Sequence, residues 1–245
     1  MVTIRPDTPR KRKRRRIGRG GTRRVSKRAL QSRAFQQVRN TAMLAGFNKD
    51  VRHVDHLVNL TLDTTGDIIL LNGLQKGDEY YQREGQKIHM LSVEGHMWLA
   101  PQSSSDPQAV QVALVYDKFP NQSTPAYEDI FRAQYLVSGA PINPAPGPLQ
   151  PRNAAYANRF KVIKNARVTY AGHNTTARMI VRDLPFEWYF NLGMMETLYD
   201  RNGNNGTIAD IIQGAFFLVA ISTEPSASGE NVDLKGYLRV RYITG

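Results

Sequence analysis

The sequence predicts an all-β body, a single antiparallel sandwich of two sheets, carried behind a disordered basic arm. Three observations predict it. Short runs rich in Val, Ile, Tyr, Phe and Thr recur from Val51 onward between clusters of Gly, Pro, Asn and Asp; helix-length periodic segments are nearly absent from that region; and the positive charge is crowded into the first 39 residues.

The arm comes first. Of the 33 Lys and Arg in the 245-residue chain, 15 lie in residues 1–39 beside the single acid Asp7, a net charge of +14. The other 18 cations face 20 acids, so residues 40–245 total about −2. A near-neutral body with a concentrated cationic tail points to an appendage whose partner is a polyanion. Few large apolar residues precede Leu30, so residues 1 to about 27 bury too little surface to offset the entropy of ordering and read as disordered until bound. Between Ser26 and Gly46 the residues Leu30, Ala34, Val38 and Ala42 recur every fourth position, with Ser26 as an N-cap and Gly46 as a stop. That spacing predicts a short amphipathic link, helical either on its own or only within an assembly. The division expected is an arm over 1–39 and one domain over 40–245.

Eight strands are expected in the body. They fall at Arg52 to Leu62, Gly66 to Leu71, Lys87 to Ala100, Gln108 to Tyr116, Arg159 to Tyr170, Ala177 to Phe190, Gly214 to Ser222 and Asp233 to Thr244. In the last run Leu234, Gly236, Leu238, Val240 and Tyr242 share one face while Lys235, Arg239 and Arg241 share the other, the mark of a half-exposed strand. Ala215 to Ile221 is apolar throughout, as in a strand buried on both faces. Eight such strands suggest a jelly roll. The connection from Phe119 to Asn158, with seven prolines, is long for a compact domain and is expected to touch a neighbouring subunit or be displayed outside. Asn202 to Gly206 reads as a glycine-rich turn.

The densest chemistry is Arg10, Lys11, Arg12, Lys13, Arg14, Arg15 and Arg16, a run of cations that a phosphate backbone neutralises while releasing its counterions. Arg19, Arg23, Arg24, Lys27 and Arg28 extend it across the flexible Gly18–Gly21 stretch. Without aromatic residues in this part of the arm, binding is expected to follow the backbone and ignore base sequence. The same run reads as a nuclear-import signal, and both uses stay open. Whether Arg239 and Arg241 also reach the nucleic acid, or only line an exposed sheet face, is open as well.

Catalytic constellations are not evident. The chain has no Cys and five His, which excludes disulfides and thiolate metal sites and fits a reducing compartment. His53, Asp55 and His56 form the one dense titratable cluster, but alternation puts His53 and Asp55 on one face and His56 on the other, awkward for a shared metal. His89 and His96 are expected on opposite faces of one strand, His173 in a turn, and Asp183 and Glu187 flank Pro185 as strand-edge charges. Neither a phosphate-cradling glycine loop nor a Gly-x-Ser-x-Gly elbow occurs. No cofactor is expected. With no apolar leader and no run of about 18 apolar residues, the chain is expected to be soluble, intracellular when made and without a membrane span.

Several segments resemble a known group. Leu70-Leu71-Asn72-Gly73-Leu74-Gln75-Lys76-Gly77-Asp78, followed by Arg83-Glu84-Gly85-Gln86-Lys87-Ile88, is similar to capsid proteins of small circular single-stranded DNA viruses that encode a replication initiator, the group of the geminiviruses and circoviruses. Val115-Tyr116-Asp117-Lys118-Phe119-Pro120-Asn121, with Pro125-Ala126 and Asp129-Ile130, resembles the group's tyrosine-aspartate segment, and Gly236-Tyr237-Leu238-Arg239-Val240-Arg241-Tyr242 its last strand. Geminivirus capsid proteins also carry Cys and His suggestive of a zinc finger, which this chain, lacking Cys, does not share.

The resemblance implies one jelly roll, an icosahedral homo-oligomer on the order of sixty copies, arms turned inward onto a circular single-stranded DNA genome, a host nuclear import receptor as partner, and assembly in the nucleus. A capsid protein of a small RNA virus obeys the same electrostatics, and a cellular nucleic-acid-binding protein with a basic extension, or a jelly-roll enzyme with an incidental tail, are the readings from other classes.

Overall fold

The computed structural model describes residues 51–101, 108–137, 140–142, 145–170, 184–223 and 231–245. The chain divides into two units, Met1–Asn48 and Lys49–Gly245. The arm and the link expected from Ser26 lie outside the described residues, as do His173 and Asp183.

Eleven strands are described. They are β1 (Val51–Leu62), β2 (Asp67–Leu70), β3 (Lys87–Pro101), β4 (Gln108–Asp117), β5 (Tyr135–Val137), β6 (Ala140–Ile142), β7 (Phe160–Tyr170), β8 (Leu184–Tyr199), β9 (Ile211–Gln213), β10 (Ala215–Ser222) and β11 (Val232–Thr244). All inter-strand pairings are antiparallel, in a five-stranded sheet ordered β1-β11-β3-β8-β9, a four-stranded sheet ordered β2-β10-β4-β7 and the small hairpin β5-β6. Leaving out β5, β6 and β9, successive strands switch sheets at every step but one, from β4 to its neighbour β7, and the first strand lies beside the last. That winding is a jelly roll, eight strands in two Greek keys.

The alternation of β11 decides which face each sheet buries. Leu234, Leu238, Val240 and Tyr242 are buried toward the opposing sheet, while Tyr237 and Arg239 project outward. At Gly236 the backbone takes φ of 136°, and a Cβ there would sit 2.1 Å from the His96 carbonyl of β3, so only glycine allows the two strands to approach. Facing these residues across the core are Val112, Leu114, Phe216 and Leu218 of the second sheet.

Both central strands of that second sheet are buried on both faces. The connection from Phe119 to Asn158 is the reason. Part of it folds back as a cover: a single helical turn, Tyr127–Ile130, places Tyr127, Ile130 and Phe131 in the core cluster, and the Tyr127 hydroxyl donates to Gln111 Oε1 of β4 at 2.8 Å. Asp129 holds the turn by accepting from the Ala126 amide at 2.9 Å. This segment therefore has elements of its own, the turn and the β5-β6 hairpin, where a structureless loop was expected.

The strand expected to stop at Phe190 runs on to Tyr199. Register against β3 passes from Asn191 to Met195 through a bulge at Leu192, Gly193 and Met194, the last two with φ of 60° and 65°. In sequence Asn191-Leu192-Gly193 looks like a turn, but here it re-aims a strand that continues.

Candidate nucleic-acid interface

Every cation singled out in the arm, from Arg10 to Arg28, lies outside the described residues, so the described interface is what the folded body offers beside it. The outward face of the five-stranded sheet carries Arg239 and Arg241 of β11. Register brings Asp55, Arg239 and Glu94 into one row and His53, Arg241 and Ser92 into the next. Arg239 grips Asp55 through two bonds of 2.7 Å, and Arg241 reaches Glu94 at 2.7 Å. Lys235 pairs with Asp233 at 2.8 Å, Lys87 with Glu196 at 2.6 Å, and Arg52 with Glu84.

Arg239's hydrogen bonds hold the Asp55 carboxyl below the usual carboxylate range; Arg241 first, then His96, does the same for Glu94. Exposed pairs of this kind add little stability. Their effect is electrostatic: Arg239 and Arg241 each hold a carboxylate that a phosphate would have to displace.

Histidines on this sheet depart from simple alternation. β3 carries one extra residue between Met90 and Ser92, so His89, opposite Ile243, and His96, opposite Tyr237, come to share the outward face. The expectation that they point apart is corrected by that bulge, because one inserted residue reverses strand parity. His96 lies between Glu94 at 3.2 Å and Glu187 at 3.8 Å. His53 and Asp55 face outward, whereas His56 turns inward and bonds the Leu71 carbonyl at 2.7 Å. Among the described residues no group of three His, Cys, Asp or Glu is placed to hold a metal ion.

The segments carrying the sequence resemblance form the fasteners at one end of the sandwich. Asn72 is fully buried; its amide donates to Thr197 Oγ1 and the Gly214 carbonyl and accepts from the Phe216 amide, each at 2.8 Å. Tyr199 donates to the Asn72 carbonyl at 2.5 Å, and burial raises its phenol far above the ordinary range. Arg83, also fully buried, donates to the carbonyls of Leu74 at 3.1 Å, Gly85 at 2.6 Å and Gly203, and its guanidinium lies 4.1 Å over the Tyr199 ring. A Cβ on Gly73 would meet the Gly206 carbonyl at 2.3 Å, so the two loops touch backbone to backbone. A third fastener joins the sheets: Tyr116 donates to the Glu196 carbonyl at 3.0 Å, and its neighbour Asp117, fully buried, takes two Arg159 nitrogens at 2.7 to 3.1 Å. Apart from the local bonds of Arg83 to Leu74 and Gly85, these partners lie 42 to 144 residues apart in sequence, and spacing alone did not reveal them. Their signal was the Asn72-Gly73, Arg83-Glu84-Gly85 and Tyr116-Asp117 motifs.

The polar residues of these motifs fasten loops and sheets of the jelly roll to one another. Residues 4–243 match the model of the Geminivirus coat protein/nuclear export factor BR1 family, and the chain belongs to that family; it is a capsid protein, a component of the virion. No curated protein matches the chain. Among solved structures it is similar to one of Desmodium yellow mottle tymovirus, at 10% identity over 81% of this chain and 91% of that one, with a TM-score of 0.32. It is also similar to the VP1 pentamer of Human Polyomavirus 6, at 11% identity over 81% and 95%, with a TM-score of 0.33. Likenesses this faint add no weight to the assignment.

Proposed function

We propose that the chain assembles into a small icosahedral shell, on the order of sixty copies, and packages circular single-stranded DNA through residues 1–39. The observation carrying this reading is the separation of charge: +14 on the arm against about −2 on the rest, with Arg239 and Arg241 of the body already paired to carboxylates. Polyanion binding then falls to Arg10, Lys11, Arg12, Lys13, Arg14, Arg15, Arg16, Arg19, Arg23, Arg24, Lys27 and Arg28. Roughly 840 arm charges in such a shell neutralise on the order of that many phosphates. The same run serves a host nuclear import receptor, taking the protein to the nucleus for assembly. DNA as the packaged polymer rests on the resemblance to capsid proteins of circular single-stranded DNA viruses.

Electron microscopy of the full chain beside a variant lacking residues 1–39, with the 260/280 nm absorbance ratio and nuclease sensitivity of any particles, tests it. Nucleic-acid-filled spheres from the full chain and empty or unstable ones from the truncation are expected. Contents destroyed by ribonuclease alone overturn the DNA assignment. Failure of the full chain to form particles with nucleic acid overturns the shell and favours the other role in the family's description, nuclear export.

A further inference from the structure

β1 is the outermost strand of the five-stranded sheet, and among the described residues no strand pairs with its other side. Its twelve residues follow β11 without a register shift. It contains no proline, no lysine and no bulge, the features that ordinarily keep a free edge from pairing. At its start the loop through residues 79–84 lies against it: Arg52 donates to the carbonyls of Glu79 and Gln82, and the His53 ring lies tilted against Tyr80, centroids 5.4 Å apart. From Val54 onward no strand among the described residues pairs with this edge. Along that stretch Leu57 is 76% exposed, beside Tyr237 at 57% on β11, and Val54 and Leu60 are only half covered at the rim of the core.

We propose that β1 pairs antiparallel with β1 of a second copy across a twofold axis through Leu57, joining two sheets edge to edge. The inference deepens the shell reading and rests on it, naming one surface by which subunits meet. A twofold pairing is self-complementary, so residue order decides which register is tolerable. Centred on Leu57, the outward face sets Leu57 against its copy, with Tyr237 flanking on each side, and sets Asp55 against Asn59. The inward face sets Val54 against Leu60 and His56 against Val58, extending the core across the junction. No like charges oppose one another, and Asp55 keeps Arg239 on its other flank. Shifting the axis to Asp55 would oppose two carboxylates, and shifting it to His56 would press Asp55 against Leu57.

The absence of cysteine makes the register directly readable. In the full chain, Leu57→Cys places two thiols directly opposite, about 4.5–5.5 Å apart between Cα atoms and within disulfide reach. Asn59→Cys places them four residues apart along the strand, about 14 Å, and out of reach. Under mild oxidation the expected result is a disulfide-linked dimer from Leu57→Cys at least tenfold faster than from Asn59→Cys. No dimer from Leu57→Cys, or equal rates from both, overturns the pairing. Leu57→Glu, an exposed change that leaves the core intact, opposes two carboxylates and is expected to reduce association in sedimentation at least tenfold; association equal to the parent's overturns the proposal too. Filled particles without the Leu57→Cys cross-link retain the shell and discard the pairing. A cross-linked dimer that never grows into particles does the reverse.

Discussion

Arg83 takes a full charge into the interior with no carboxylate bonded to it. Burial lowers its pKa, yet a guanidinium remains protonated, and three backbone carbonyls and the Tyr199 face take the place of water. Arg83→Met leaves those carbonyls unpartnered and is expected to cost about 3 kcal/mol, read as a lower urea midpoint. Arg83→Lys should recover only part of it, because one ammonium cannot span the fork. His56 predicts a pH dependence. Its bond to a carbonyl requires Nε2 to carry the proton, and burial lowers its pKa below 6.5, with the Leu71 carbonyl and Asp55 opposing in part. The unfolded chain then binds the proton at higher pH than the folded one. His56 therefore contributes stability fully above about pH 6.5, and that contribution falls on acidification toward the folded pKa. Urea midpoints are expected to drop between pH 7.5 and 5.5, and to drop less in His56→Gln.

At the scale of elements, the cover over the four-stranded sheet hangs on one phenol. Tyr127 shares its one hydroxyl proton between Gln111 Oε1 at 2.8 Å and the Gly147 carbonyl at 2.9 Å, so Tyr127→Phe is expected to lose about 1–2 kcal/mol. Hydrogen exchange should rise first at residues 127–131, before the strands beneath. Eight of the strands were legible because runs such as Ala215 to Ile221 and the alternation ending at Tyr242 report burial directly. The bulges at Leu91 and at Leu192 to Met194 were not legible, since an inserted residue has no signature of its own until a partner strand shows the slip. The cover was hidden for a related reason: Tyr127 and Phe131 look like loop aromatics until the apolar second face of β10 demands something to lie on it.

For the whole molecule, the charge split was visible in composition alone, while the neutralisation of Arg239 by Asp55 required knowing that residues 184 apart share a row. Binding to single-stranded polynucleotide is expected to weaken steeply with salt. Replacing the seven cations of Arg10–Arg16 by Gln should flatten the slope of log K against log salt by about 5, since each phosphate contact on a single strand contributes about 0.7. Arg239→Gln should leave the slope nearly unchanged.

The pairing of Val51 with Ile243 sets an order of events during synthesis. The strand that begins the sandwich finds its partner only after nearly the whole message has been read, on the order of 10–40 s later at ordinary translation rates. Throughout that interval the cationic residues have already left the ribosome while the sheet beside β11 has not closed. If residues 1–39 bind polyanions as proposed, any polyanion near the ribosome can engage them before the sandwich closes, so packaging competes with binding that begins during synthesis.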